Sequence, residues 1–221
     1  MVQVTRIDLG GVNCYLLSAD RGFVLIDTGS PQKRSVLEQE LSRMGCWPGD
    51  LRVIVLTHGD YNHAGNAAYL RERYEVKVAM HHDDLGRVRR GDWKWGQKPK
   101  PDHVVWSFRL LSLLRGKRED FDVFEPDTCL DDGQSLLRYG CDATVLGLPG
   151  HTKGSIGILT PDKDVICGDL LGNLLSPSLG GLINDMAAAR TSLGRLRRLQ
   201  VSVVYPGHGK PFRLADVGAG D

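Results

Sequence analysis

Seven histidines occur in this 221-residue chain, and four of them, His58, His63, His151 and His208, stand in glycine-flanked loops directly behind short apolar runs. His58 and His63 follow Val53 to Leu56, His151 follows Val145 to Leu148, and His208 follows Val201 to Tyr205. Asp169 stands in the same relation to Asp164 to Cys167, and Asp60 lies between the first two histidines. Imidazoles and carboxylates brought together from successive strand ends are the donor set of a divalent metal ion, whereas histidines that merely fill a core do not recur so regularly.

For these side chains to converge, the runs behind them must share sheets. Strand character is expected at Val2 to Ile7, Val12 to Leu17 and Phe23 to Ile26, followed by a helix over Pro31 to Met44 and a buried-type strand at Val53 to Leu56. Ala64 to Tyr74 has helical spacing and Val76 to Met80 reads as the next strand, so Thr57 to Asn66 joins a strand end to a helix start, where open α/β sheets present ligand groups. Strand runs resume at Ala143 to Leu148, Ile156 to Leu159 and Asp164 to Cys167, then a helix around Met186 to Leu199 and a strand at Val201 to Tyr205. Two halves of strands followed by a helix suggest an α/β architecture, an αββα four-layer sandwich.

Composition agrees with one folded domain. The chain is 41% hydrophobic and 25% charged, enough to bury a core, and no apolar stretch is long enough to span a membrane. The N-terminal residues have no apolar signal core, and five widely spaced cysteines without a CxxC pair indicate neither a disulfide framework nor a zinc ribbon, so a cytoplasmic location is expected. The net charge of +1 is unevenly placed: Leu85 to Arg118 carries ten Lys and Arg against Asp92 and Asp102, a local +8 that leaves −7 elsewhere. That basic stretch, an insertion at about residues 85–118, also holds Trp93, Trp95 and Trp106, and Val104 to Leu114 has the spacing of a short amphipathic helix. The P-loop, GxSxG and HExxH patterns are absent.

The loop Thr57-His58-Gly59-Asp60-Tyr61-Asn62-His63-Ala64-Gly65 resembles the HxHxDHxGG loop of the metallo-β-lactamase superfamily. The other motifs follow in order as Asp27-Thr28-Gly29, Gly150-His151-Thr152, Gly168-Asp169 and Pro206-Gly207-His208-Gly209, covering about Val4 to Pro211. The resemblance implies that one metal takes His58, Asp60 and His151, that a second takes Asn62, His63 and His208, and that Asp169 bridges both. It also implies that a hydroxide between the ions is the nucleophile and that Asp27 braces the ligand loop. Two ions acidify bound water and stabilise the oxyanion formed by its attack.

Two positions depart from that pattern: Asp60 replaces the second histidine and Asn62 the aspartate, giving HxDxNH. Two carboxylates remain, but one has moved from the second site to the first. The first site is then similar to that of the flavodiiron members, which place a glutamate there, so iron or manganese joins zinc as a candidate for the one or two ions expected. The second site keeps His63, His208 and the shared Asp169, while the Asn62 amide coordinates weakly, and a weak or empty site is expected.

Outside this set, His81 and His82 read as part of a polar loop, His103 as exposed, Asp131-Asp132-Gly133 as a turn and Cys167 as packing. Lys153 and Lys210 each follow a ligand-type histidine by two residues and offer contacts to an anion. In the superfamily the segment between the second and third motifs commonly lies over the metals. That implies an apolar wall from Trp93, Trp95, Trp106 and Phe108 and an anion clamp from Arg87, Arg89 and Arg90, against the plainer reading that the aromatics pack the insertion onto the sandwich.

The expected protein is a single domain over residues 1–221 that hydrolyses a thioester, lactone or phosphoester with metal-bound hydroxide, Asp60, Asn62 and Asp169 being the catalytic candidates. The expected partner is a small-molecule substrate, for which an anion suits the basic insertion; neither nucleic acid nor a membrane span is indicated. Glyoxalase II proper is disfavoured by the thirteen residues after His208, and export-dependent β-lactamase action by the lack of a signal. The alternatives are a non-haem iron redox enzyme, from the carboxylate at Asp60, and a catalytically impaired metal-binding protein, from Asn62.

Overall fold

The computed structural model describes residues 2–104 and 121–218. Trp106, Phe108 and all but the first residue of the helix expected over Val104 to Leu114 lie outside them.

The first half runs β1 (Val4–Asp8), β2 (Asn13–Ala19), β3 (Gly22–Ile26), α1 (Arg34–Arg43), β4 (Leu51–Val55), α2 (Tyr61–Ala64), α3 (Ala67–Arg73) and β5 (Val78–Met80). After α4 (Leu85–Arg90) and the short β6 (His103–Val104), β7 (Thr128–Cys129) completes a six-stranded sheet in the order β1-β2-β3-β4-β5-β7. Its first two pairings are antiparallel and the other three parallel. The second half supplies β8 (Thr144–Gly147), β9 (Ile156–Leu159), β10 (Val165–Gly168), β11 (Leu171–Gly172), β12 (Ser178–Leu179), β13 (Leu182–Ile183), α5 (Met186–Arg198), β14 (Val203–Pro206) and β15 (Phe212–Arg213). Five of these strands form a second sheet, β15-β14-β10-β9-β8, in which β10 and β14 run parallel.

Side-chain alternation along the strands makes the layers. Val53 and Val55 of β4 join Tyr15, Val24 and Ile26 in a cluster with Val145, Ile156, Ile158 and Ile166 of the other sheet, so this core lies between the sheets. Ile54 and Leu56 face the opposite way and pack with Leu37 and Leu41 of α1 and Leu70 of α3. On the far side Val165, Cys167 and Val204 pack against Ala189, Leu193 and Leu196 of α5, whose N-terminus is capped by Asp185 accepting from the Ala188 N–H. The layers are therefore helix, sheet, sheet, helix, as the two halves of the sequence suggest. Strand and helix ends put the loops 57–60, 150–152, 168–170 and 206–209 on a common edge.

Two expected features change. The helix expected over Ala64 to Tyr74 is broken at Asn66, whose buried amide donates 2.8 Å bonds to the carbonyls of Thr28 and Ser30 and accepts from Arg34 Nε at 3.2 Å. That amide serves the turn after β3, and the helix yields to it. His103 and Val104 are half-buried in β6, paired with Ile183 and Leu182 of β13, so His103 is not exposed and Val104 begins no helix. Replacing Asn66 leaves the buried Thr28 carbonyl without this donor and the Ser30 carbonyl with the Lys33 N–H alone, and we expect Asn66→Ala to lower unfolding free energy by about 1–3 kcal/mol in urea titration.

Candidate metal centre

Every one of the four strand-end imidazoles is held through Nδ1, which turns its Nε2 inward. His63 Nδ1 donates to Asp27 Oδ2 at 2.8 Å, His151 Nδ1 to the Leu182 carbonyl at 2.7 Å, and His208 Nδ1 to the Gly11 carbonyl. His58 Nδ1 meets Thr57 Oγ1 at 2.9 Å, and that hydroxyl passes its own hydrogen to Asp27 Oδ2 at 2.8 Å. Orienting a histidine through its outer nitrogen is how protein metal sites fix tautomer and ring direction. Asp27 thus orients two of the imidazoles at once, and its Oδ1 also accepts the Thr57 N–H at 2.8 Å.

The inward atoms form two donor triads, His58, His151 and Asp169, and His63, Asp169 and His208, each with its ligand atoms within 4.8 Å of one another. Asp169 belongs to both, 3.2 Å from His63 Nε2 and 3.3 Å from His208 Nε2. His58 Nε2, His63 Nε2 and Asp169 Oδ1 are buried and make no hydrogen bond among the described residues. Buried polar atoms left unmatched and aimed at one point fit a cation that would complete them. Burial together with the neighbouring His63 and His151 lowers the pKa of His58, which favours the neutral ligand form. Burial also opposes charge on His63, yet Asp169 and Asp27 raise its pKa well above the usual imidazole value. The backbone makes room for this crowding: a Cβ at Gly207 would lie 2.2 Å from Asp169 Oδ1 and 2.7 Å from His63 Cε1.

The two unusual loop positions have distinct partners. Asp60 is buried, with Oδ2 3.1 Å from His151 Nε2 and 3.8 Å from His58 Nε2, while its Oδ1 is taken by Arg87 Nη1 at 2.5 Å. Burial works to raise the Asp60 pKa, but Arg87 and His151 hold it well below the carboxylate range. Arg87 itself is only 2% exposed, lies 3.8 Å from Asp84, and also donates to the Trp93 carbonyl. Gly59 permits this approach, since a Cβ there would stand 2.7 Å from Arg87 Cβ. Asn62 lies at the half-buried rim of the second triad, its Nδ2 3.3 Å from His208 Nε2.

The sequence profile described as metallo-beta-lactamase superfamily matches residues 7–208. The chain belongs to that superfamily. It is 44% identical over 214 residues to metallo-beta-lactamase domain-containing protein 1 of Rattus norvegicus, covering 93% of this chain and 68% of the relative. It is 28% identical over 173 residues to hydroxyacylglutathione hydrolase GloC of Haemophilus influenzae, covering 77% and 71%. Among solved structures it is similar to TTHA1623 in a di-iron-bound form, with a TM-score of 0.67, 28% identity, and 92% and 90% of the two chains covered.

Within the superfamily's loop, then, the histidine usual at position 60 is a buried carboxylate that carries its own arginine. This corrects the sequence expectation for Arg87: its guanidinium is spent on Asp60 and Asp84 and is closed to a substrate anion. Arg90 stacks over the Trp95 ring at 3.9 Å, Arg89 pairs with Glu125 at 2.5 Å, and Lys94 lies 5.2 Å from the Trp93 ring. Lys153 is 80% exposed and pairs with Asp83 at 3.1 Å. Trp95 covers Gly86 from outside, where even a methyl group would strike its indole. His81, His82 and Asp83 form a third group with ligand-type atoms in reach of one another, but Lys153 occupies Asp83 and the Asp83 N–H occupies His81 Nδ1.

Several positioning residues escape a reading by motif. Asp84 accepts from the Gly59 N–H and from Thr152 Oγ1, both at 2.9 Å, and so ties the loop of His58 to that of His151. Asn13 Nδ2 donates to the Pro206 and Gly209 carbonyls, and the Tyr15 hydroxyl to Pro206, which holds the loop of His208. A buried-type asparagine and tyrosine inside an apolar strand, Asn13-Cys14-Tyr15, is the one sequence signal that could have found this contact.

Removing the guanidinium leaves the Asp60 charge buried and unpaired. We expect Arg87→Met to cost about 3–5 kcal/mol in denaturant titration, and Asp60→Asn in the same chain to recover much of that loss.

Proposed function

We propose that this chain is a metal-dependent hydrolase acting on a small ester-type substrate, a thioester, lactone or phosphoester. The observation that carries the reading is the convergence of four inward Nε2 atoms and a shared carboxylate beside an open cavity. One or two ions, zinc or alternatively iron or manganese, would be held by His58, Asp60, His151 and Asp169 and by His63, His208 and Asp169, with Asn62 at the rim of the second set. When bound, they supply a water of lowered pKa and a Lewis acid for the oxygen that gains charge during attack.

The chain's own residues complete the chemistry. Asp169 contributes the charge shared by both triads. Asp60 Oδ2, the oxygen that Arg87 leaves free, faces the histidines and is the group placed to accept a hydrogen bond from a water in the site. Asn62 at the rim of the second triad offers an amide where the superfamily pattern has an aspartate, so it orients a ligand without taking a proton. The name of the GloC relative supports a thioester of a glutathione-like thiol as the first substrate to assay. Five free cysteines suit a cytoplasmic location, and residues 1–221 act as one domain.

The iron redox alternative draws on the di-iron form of TTHA1623 and on Asp60, but Arg87 already neutralises that carboxylate, so the hydrolase reading stands ahead. The impaired-protein alternative rests on Asn62 and is separated by experiment. Metal-loaded protein should hydrolyse a hydroxyacylglutathione thioester, lose the activity with a chelator, and fall at least about a hundredfold in kcat/KM as His58→Ala. Asn62→Asp should raise the second metal equivalent measured by elemental analysis. Full metal content with no hydrolysis of thioester, lactone or phosphoester in either form would overturn the hydrolase reading in favour of a metal-binding protein.

A further inference from the structure

Beside the second triad lies a cavity of about 310 Å³ that opens to solvent. Asn62 and His208 line it with Leu9, Val12 and Tyr61, Ser30 and Gln32 add polar groups, and Lys33 reaches it from the turn before α1. Its volume is at the small end of the range for ligand sites. No aspartate or glutamate lines it.

Lys33 is half-buried, and its ammonium makes no ion pair or hydrogen bond with any described residue. The nearby carboxylate of Asp8 is engaged, by Arg6 and by the Gly10 N–H. The ammonium is held against the turn between β1 and β2: a Cβ at Gly10, where φ is +76°, would lie 3.3 Å from Lys33 Nζ. The same turn accepts the His208 Nδ1 hydrogen at Gly11, so one short segment carries both the wall under Lys33 and the support of a metal-type ligand. A half-buried lysine without a counter-charge, facing a cavity of mixed polar and apolar lining free of carboxylates, is arranged to meet an anion.

We propose that this cavity is a substrate subsite in which Lys33 Nζ binds an anionic group, a carboxylate or a phosphate, carried on the far side of an apolar spacer from the bond being cleaved. The substrate class is then a small anionic ester or thioester. Calling the ligand a substrate rests on the hydrolase reading, whereas the anion site itself is testable without turnover. The basic insertion, to which the sequence points for anion binding, is not the source of this charge, since Lys33 lies before it.

Calorimetric titration of the metal-loaded chain with acetate, succinate and inorganic phosphate tests the assignment. Acetate carries one carboxylate and succinate two, so a preference for succinate that Lys33→Met removes reports the second carboxylate at Lys33. Wild-type protein should prefer succinate to acetate by about tenfold or more, and Lys33→Met should abolish that preference with metal content unchanged. Phosphate weakened in the variant while succinate is unaffected assigns the site to phosphate. An identical response to all three anions in both proteins overturns the anion site. Hydrolysis is read separately with the 4-nitrophenyl esters of butyric acid and of monosuccinic acid. If neither is cleaved while Lys33→Met still loses the succinate preference, the hydrolase reading is weakened and the anion site stands.

Discussion

The geometry of the centre depends on one carboxylate. Asp27 ends β3 in the left-handed region, with φ of 60°, a conformation that costs a non-glycine residue about 1–3 kcal/mol. In exchange its two oxygens accept from the Thr57 N–H, the Thr57 hydroxyl and His63 Nδ1, each at 2.8 Å. Bonds to a buried, ionised acceptor are stronger than neutral ones, which offsets the strain. Through Thr57 the same carboxylate sets His58. Both faces of the first ligand loop are therefore oriented by a residue that never points into the site, and the parallel pairing of β3 with β4 is what delivers it there.

The rest of the centre is an assembly across the two sheets. His58, Asp60 and His63 come from the end of β4, whereas His151, Asp169 and His208 come from the ends of β8, β10 and β14. Bridges such as Asp84 to Thr152, Asn13 to Pro206 and Gly11 to His208 join the two sets. Arg87 balances Asp60, whereas Asp169 has no Lys or Arg paired with it among the described residues and lies against His63 and His208 instead.

Motifs made most of this legible. Each ligand-type histidine and aspartate follows an apolar run and all but His63 sit beside a glycine, so their places at strand ends could be read locally, and the expected strands of the first half match β1 to β5 within a few residues. What could not be read is which loop lies opposite which. Gly11 and His208 are 197 residues apart and Asp60 and His151 are 91 apart, and no local pattern encodes either meeting. The same limit misassigned Arg87: in the sequence it is one of three arginines in a basic stretch, and only the fold shows that it alone turns inward. Asn66 escaped for a related reason, because helical spacing runs through it while its amide serves a turn more than thirty residues earlier.

The Arg87 pair also links α4 directly to the loop that carries Asp60. Arg87 belongs to α4, at the head of the segment that continues through Trp93 and Trp95 to β6 and pairs there with β13. In a buried setting the attraction between two charges falls steeply as they separate, so a shift of α4 by an ångström or so is felt by Asp60 as a change in its charge balance. The position of α4 and the charge balance at Asp60 are thereby coupled through that one guanidinium.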